Sequence, residues 1–219
     1  MNYEKKYVWS VLFRLFHWAF VLSIVVLAVT GFYINDPWPN PWLAGSRGFP
    51  MADMRYYHFL AGYVFTAALL VRLFLYLFGN RHERILHALP VTPGKVKNIF
   101  TTMAYYGYVT DRHGEDLGHN TIAGIVYLFT YVAAAAQVVG GFYLLYPESA
   151  GWQAWGLKFF GTQQQARHMH HLLLWYFLFF ALVHLYLVVW NDVKAPEGMI
   201  SSIFNGYKFK PKHNGSAEG

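Results

Sequence analysis

The 219-residue chain contains no cysteine. It therefore holds no iron–sulfur cluster by thiolates, attaches no haem covalently and forms no disulfide, so a redox centre in it must rest on histidine or methionine. Charge is scarce as well. Asp, Glu, Lys and Arg make up 13% of the residues, against 56% hydrophobic and 20% aromatic, a composition too apolar for an ordinary water-soluble domain. No acidic or basic residue other than histidine occurs from Leu15 to Asn35, from Thr121 to Tyr146, or from His168 to Trp190.

Those gaps define long apolar runs, and a helix needs about 20 such residues to cross a bilayer core. Four runs qualify, at 11–34, 58–78, 121–145 and 169–190. The first is too long and too aromatic for a cleavable signal peptide, with no small-residue cleavage pattern after it, and is expected to be retained as a transmembrane helix. Of the 17 Lys and Arg residues, twelve fall on the side that also carries both termini, and four (Arg47, Arg55, Lys158 and Arg167) on the other. The positive-inside rule then makes the termini cytoplasmic. A formal charge of +6 spread between apolar spans reflects this topology and implies no nucleic-acid partner. The expected fold is an all-α integral membrane protein, one domain over 1–219, built as a four-transmembrane-helix bundle in contact with membrane lipid. Between spans, the Pro-rich DPWPNPW suits a compact outer loop, the segment from His82 to Val109 reads as partly helical along the inner surface, and 146–168 holds a short aromatic interfacial helix. The last residues, SAEG, read as disordered.

Against this background histidines stand inside or beside the oily runs. Topology puts His17 and His184 toward the cytoplasmic side, and His58 and the group His168, His170 and His171 toward the outer side. Two ligands on one helix must share a face. His170 and His184 are 14 residues apart, about 3.9 turns, and nearly eclipse, whereas His171 and His168 are offset by about 3.6 and 4.4 turns. Fourteen residues also rise roughly 21 Å, which stacks two centres across the midplane. Intramembrane histidines at matching depth on facing helices are what a haem iron with two axial imidazoles requires. The expected metal ligands are His58 with His170 and His17 with His184, holding two haems. A zinc site fits poorly, because the candidates separate into distant pairs without a nearby Cys or carboxylate. The competing reading is a haem-free anchor whose histidines only make interhelical hydrogen bonds.

Small residues beside a porphyrin face are expected at Gly31, 14 residues after His17, and at Gly62, one turn after His58, with Gly124 and Gly140 marking the third span. Arg72, 14 residues after His58, either pairs with an inner haem propionate or snorkels to the headgroups. His119, beside the start of span three, is a candidate proton relay, while His82, His87, His113 and His213 read as solvated.

The runs RLFHWAFVLSIVVLAVTG and HMHHLLLWYFLFFALVH, followed by WNDV and SSIFNGYKF, resemble the cytochrome b subunit of membrane-bound nickel–iron hydrogenases. The likeness covers nearly the whole chain. It implies an inner-membrane, multi-pass, di-haem protein of the bacterial respiratory chain, not itself the hydrogenase. Such a subunit takes electrons from the iron–sulfur small subunit, paired with the nickel–iron large subunit, on the outer face and passes them to quinone near the cytoplasmic haem. Cytochromes b of formate dehydrogenase or thiosulfate reductase share this architecture and stand as the alternative.

Overall fold

The structure, a computed structural model, describes residues 3–39, 48–84, 89, 92–107, 109–110, 121–194 and 197–211. In chain order these form β1 (Tyr3–Tyr7), α1 (Val11–Asn35), α2 (Pro50–Phe78), α3 (Pro93–Tyr106), α4 (Thr121–Leu145), α5 (Ala150–Phe160), α6 (Gln163–Lys194), α7 (Met199–Asn205) and β2 (Tyr207–Pro211). Four of them, α1, α2, α4 and α6, are long and apolar enough to cross a membrane. The helical stretches expected within 82–109 and 146–168 are present as α3 and α5.

The starts of α1 and α4 and the end of α2 coincide with the hydropathy boundaries, but α2 begins eight residues before His58 and α6 runs from Gln163 to Lys194. Hydropathy marks where a helix meets lipid. Backbone hydrogen bonding carries the same helix on into polar flanks such as Asp53 and Arg55. Each extension has its own start signal. Pro50 occupies the first helical position, where its missing N–H costs nothing. Before α6, Gln165 Oε1 accepts from the Thr162 backbone N–H at 2.8 Å while Thr162 Oγ1 accepts from Gln165 N–H at 3.3 Å, a reciprocal capping box. Gly161 makes the sharp α5–α6 turn at φ +71°, where a Cβ would collide with the Gln165 amide.

The chain divides into two compact units, and each of the four long helices contributes to both. The first unit comprises Met1–Arg14, Leu73–Phe129 and Ala181–Gly219. It contains a two-stranded antiparallel sheet in which Tyr3 pairs with Pro211 and Tyr7 with Tyr207. This sheet is an addition to the all-α expectation, since five-residue strands of lysine and aromatic residues carry little periodicity to read. It lays the two ends of the described chain side by side. Glu83, 1% exposed, ties the start of α1 to the α2 exit, accepting from Ser10 N–H at 2.7 Å and Asn80 N–H at 3.1 Å. Asn80 in turn donates to the Val8 carbonyl, and Arg14 to the Phe204 carbonyl.

The second unit comprises Leu15–Arg72 and Thr130–Phe180. Aromatic side chains join its four long-helix segments. Phe20 of α1 stacks on Phe65 of α2 with ring centres 4.4 Å apart, Phe65 meets Phe177 of α6 edge-on at 6.1 Å, and Tyr176 of α6 hydrogen-bonds Thr130 of α4 at 2.7 Å. The α5 helix lies close because Gly156 has no side chain to meet the fully buried Tyr143, whose hydroxyl donates to the Gly161 carbonyl.

Candidate haem site

Within the second unit, α2 and α6 present His58 and His170 to each other, with ring centres 6.4 Å apart. A metal–imidazole bond of about 2.0–2.1 Å plus roughly 1.1 Å from nitrogen to ring centre puts two opposed ligands about 6.3 Å apart. The separation therefore fits one iron between the rings. Two imidazoles alone do not complete a metal shell, and the described residues hold no group of three or more His, Cys, Asp or Glu suited to a metal ion. This donor set suits a haem, which brings its own equatorial nitrogens.

The surrounding space agrees. A cavity of about 660 Å³ opens beside the pair, lined among others by Gly31, Gly62, Gln137 and Gly141. A Cβ on Gly31 would lie 3.3 Å from His58 Cε1, and one on Gly141 would lie 3.4 Å from His170 Cε1, so each ring rests against a glycine of a neighbouring helix. A Cβ on Gly62 would meet nothing within 4 Å and would project into the open cavity. Gly140 serves differently, packing on the Phe160 ring.

A hydrogen bond orients the His58 ring. The Thr30 hydroxyl of α1 is 2.9 Å from His58 Nδ1. Gln137 of α4 donates to the His170 carbonyl at 3.1 Å. Its Oε1 and His170 Nδ1 are both buried and make no hydrogen bond among the described residues. His171 also borders the cavity, yet its Nε2 accepts from Trp175 Nε1 at 3.1 Å and its ring packs edge-on against Phe32. His168 is exposed.

The remaining candidates are spread between the units. His17, half-buried beside Trp18, belongs to the second unit, and His184 to the first, where its Nδ1 is 3.2 Å from the Tyr127 hydroxyl. Arg72 is 2% exposed, its guanidinium 5.4 Å from the Tyr131 ring centre and 5.9 Å from that of Phe16. It is enclosed by aromatic rings rather than extended to a surface. His82 is half-buried, while His87, His113, His119, His213 and Arg47 lie outside the described residues.

Thr30, Gln137 and Gly141 were not singled out from sequence. Gln137 had a visible signal, being a lone amide in a charge-free span, and Gly141 follows it by one turn on the same face.

A family model described as prokaryotic cytochrome b561 matches residues 8–206. The chain is 33% identical over 211 residues to a protein of Azotobacter vinelandii named "Probable Ni/Fe-hydrogenase B-type cytochrome subunit", covering 92% of this chain and 88% of that one. It is 30% identical over 213 residues to a protein of the same name from Cupriavidus necator, covering 94% and 87%. It is also 30% identical over 217 residues to the "Probable Ni/Fe-hydrogenase 1 B-type cytochrome subunit" of Escherichia coli K12, covering 94% and 92%.

Proposed function

This chain belongs to the prokaryotic cytochrome b561 family, and from that premise we propose that it is the membrane electron-transfer subunit of a nickel–iron hydrogenase. It accepts electrons from the iron–sulfur small subunit of the periplasmic hydrogenase, itself bound to the large subunit, and delivers them through two b haems to the quinone pool of the bacterial inner membrane. Both termini are cytoplasmic in this reading. The relatives' names, each pairing a B-type cytochrome with a Ni/Fe-hydrogenase, support the choice of partner.

The observation that carries the reading is the opposed pair His58 and His170 at 6.4 Å beside a glycine-lined cavity. When bound, haem iron supplies a one-electron ferric–ferrous couple. The chain's part is to hold the ring nitrogens at the right separation, to keep bulk away at Gly31, Gly62 and Gly141, and to enclose the site in apolar helices. The second pair, His17 with His184, rests on the 14-residue spacing and on the matching depth read from topology. There the Tyr127 hydroxyl is 3.2 Å from His184 Nδ1. Arg72, 14 residues after His58 and 2% exposed, suits a propionate of that second haem.

Native membranes supplied with hydrogen and then examined by reduced-minus-oxidised absorption spectroscopy test this directly. A b-type α-band that appears with hydrogen supports the assignment. Haem that only formate or another donor reduces rejects the hydrogenase as partner, and absence of any haem band from the purified chain rejects the cytochrome reading.

A further inference from the structure

We propose that Thr30 is a positioning residue for the outer centre: it fixes the tautomer of His58 so that Nε2 faces the metal, and it strengthens that imidazole as a donor. This rests on the haem reading above. Thr30 lies in α1, 4% exposed, with Oγ1 at 2.6 Å from the Val26 carbonyl, 3.3 Å from the Leu27 carbonyl and 2.9 Å from His58 Nδ1. A hydroxyl has one proton to give and two lone pairs with which to accept. The short bond to Val26 takes the proton, so toward His58 the oxygen accepts. His58 Nδ1 must then carry hydrogen. A neutral imidazole protonated at Nδ1 has its lone pair on Nε2, the nitrogen left to bind iron.

Back-bonding of a threonine to the carbonyl one turn earlier is ordinary in a membrane helix and by itself signifies nothing about a ligand. The departure here is that the same oxygen reaches across to a different helix. The adjacent residue completes the clamp, because Gly31 leaves room for the ring where a Cβ would stand 3.3 Å from Cε1. One turn of α1 thus supplies both the acceptor and the clearance. His170 has no equivalent, since its buried Nδ1 makes no hydrogen bond among the described residues. The two ligands of one iron are therefore unequal, and Thr30 governs one of them.

An acceptor on the distal N–H makes a ligating imidazole more basic. A more basic ligand favours the ferric state, so loss of the acceptor raises the reduction potential. The test uses the full-length, haem-loaded protein and the substitutions Thr30→Val, which keeps the branched shape without the hydroxyl, and Thr30→Ser, which restores it. Optical redox titration resolves the haems, and the outer one is identified as the one lost in His58→Ala. Thr30→Val is expected to retain both haems and shift the outer couple toward the ferrous state by about tenfold, or about 59 mV upward for one electron, with the other haem unmoved. Thr30→Ser is expected to return it, and the low-spin ferric resonance of the outer haem to change only in the valine variant. If Thr30→Val loses haem, Thr30→Ala, which removes the hydroxyl and adds no methyl, gives the same measurement. Unchanged potentials with both haems present, an equal shift in both, or a shift that serine does not reverse overturns the role of Thr30 and leaves His58 as a ligand. Two haems retained in His58→Ala overturns the ligation itself.

Discussion

Substitution of Gly62 by leucine separates a cofactor site from a mere packing position. A Cβ at this residue meets no atom within 4 Å, so the folded chain has nothing to push aside. The side chain instead enters the cavity of about 660 Å³ beside His58 and His170. A leucine there takes up part of the space beside the two rings that a macrocycle would need. Gly62→Leu is therefore expected to insert and remain monodisperse in detergent, to lose the outer haem, and to show a pyridine haemochrome ratio falling from two per chain to one. Gly156→Ala gives the opposite pattern. Its Cβ would overlap the ring of the fully buried Tyr143, far from open space, so it should lower the amount and thermal stability of folded protein without a selective effect on either haem. Two haems with unaltered spectra in a folded Gly62→Leu protein would refute the reasoning that places the cofactor in this cavity.

Other substitutions test neighbouring parts of the account. His170→Ala should remove the outer haem whereas His171→Ala, whose ring is held by Trp175 and Phe32, should keep both, and equal loss in the two would contradict the assignment. Glu83→Leu removes the buried acceptor of the Ser10 and Asn80 N–H groups and should cost about 1–3 kcal/mol, seen as a lower midpoint of thermal unfolding with unchanged haem spectra. Thr162→Val breaks the capping box at the start of α6 and should cost about 1 kcal/mol.

The four spans were legible because lipid imposes a single requirement, a long helix of apolar residues, and composition displays it directly. What hydropathy does not display is where such a helix stops being useful to lipid and continues for other reasons, as α2 does from Pro50 and α6 to Lys194. The β1–β2 sheet depends on pairing between opposite ends of the chain and leaves no local pattern. The site divides along the same line. Spacing along a single helix gives rotation about that helix alone, and it separated His170 from His168 and His171. It is the His170 ring that stands 6.4 Å from His58. Which residues of a neighbouring helix face that pair depends on the relative rotation of two helices. Thr30 was invisible for that reason, Gln137 showed only as a lone amide with no face assigned to it, and Gly140 was singled out where Gly141 is the residue beside His170.

The account turns on electrons crossing the membrane between two histidine-held centres, and paired variants in membranes supplied with hydrogen test that most directly. After a dithionite-reduced spectrum verifies that each variant has inserted with one haem, His17→Ala is expected to leave the outer haem reducible by hydrogen while quinone reduction stops. His58→Ala is expected to block both. Rapid quinone reduction by hydrogen in the verified His17→Ala membranes would contradict the transmembrane route, because quinone would then be reduced at the outer centre.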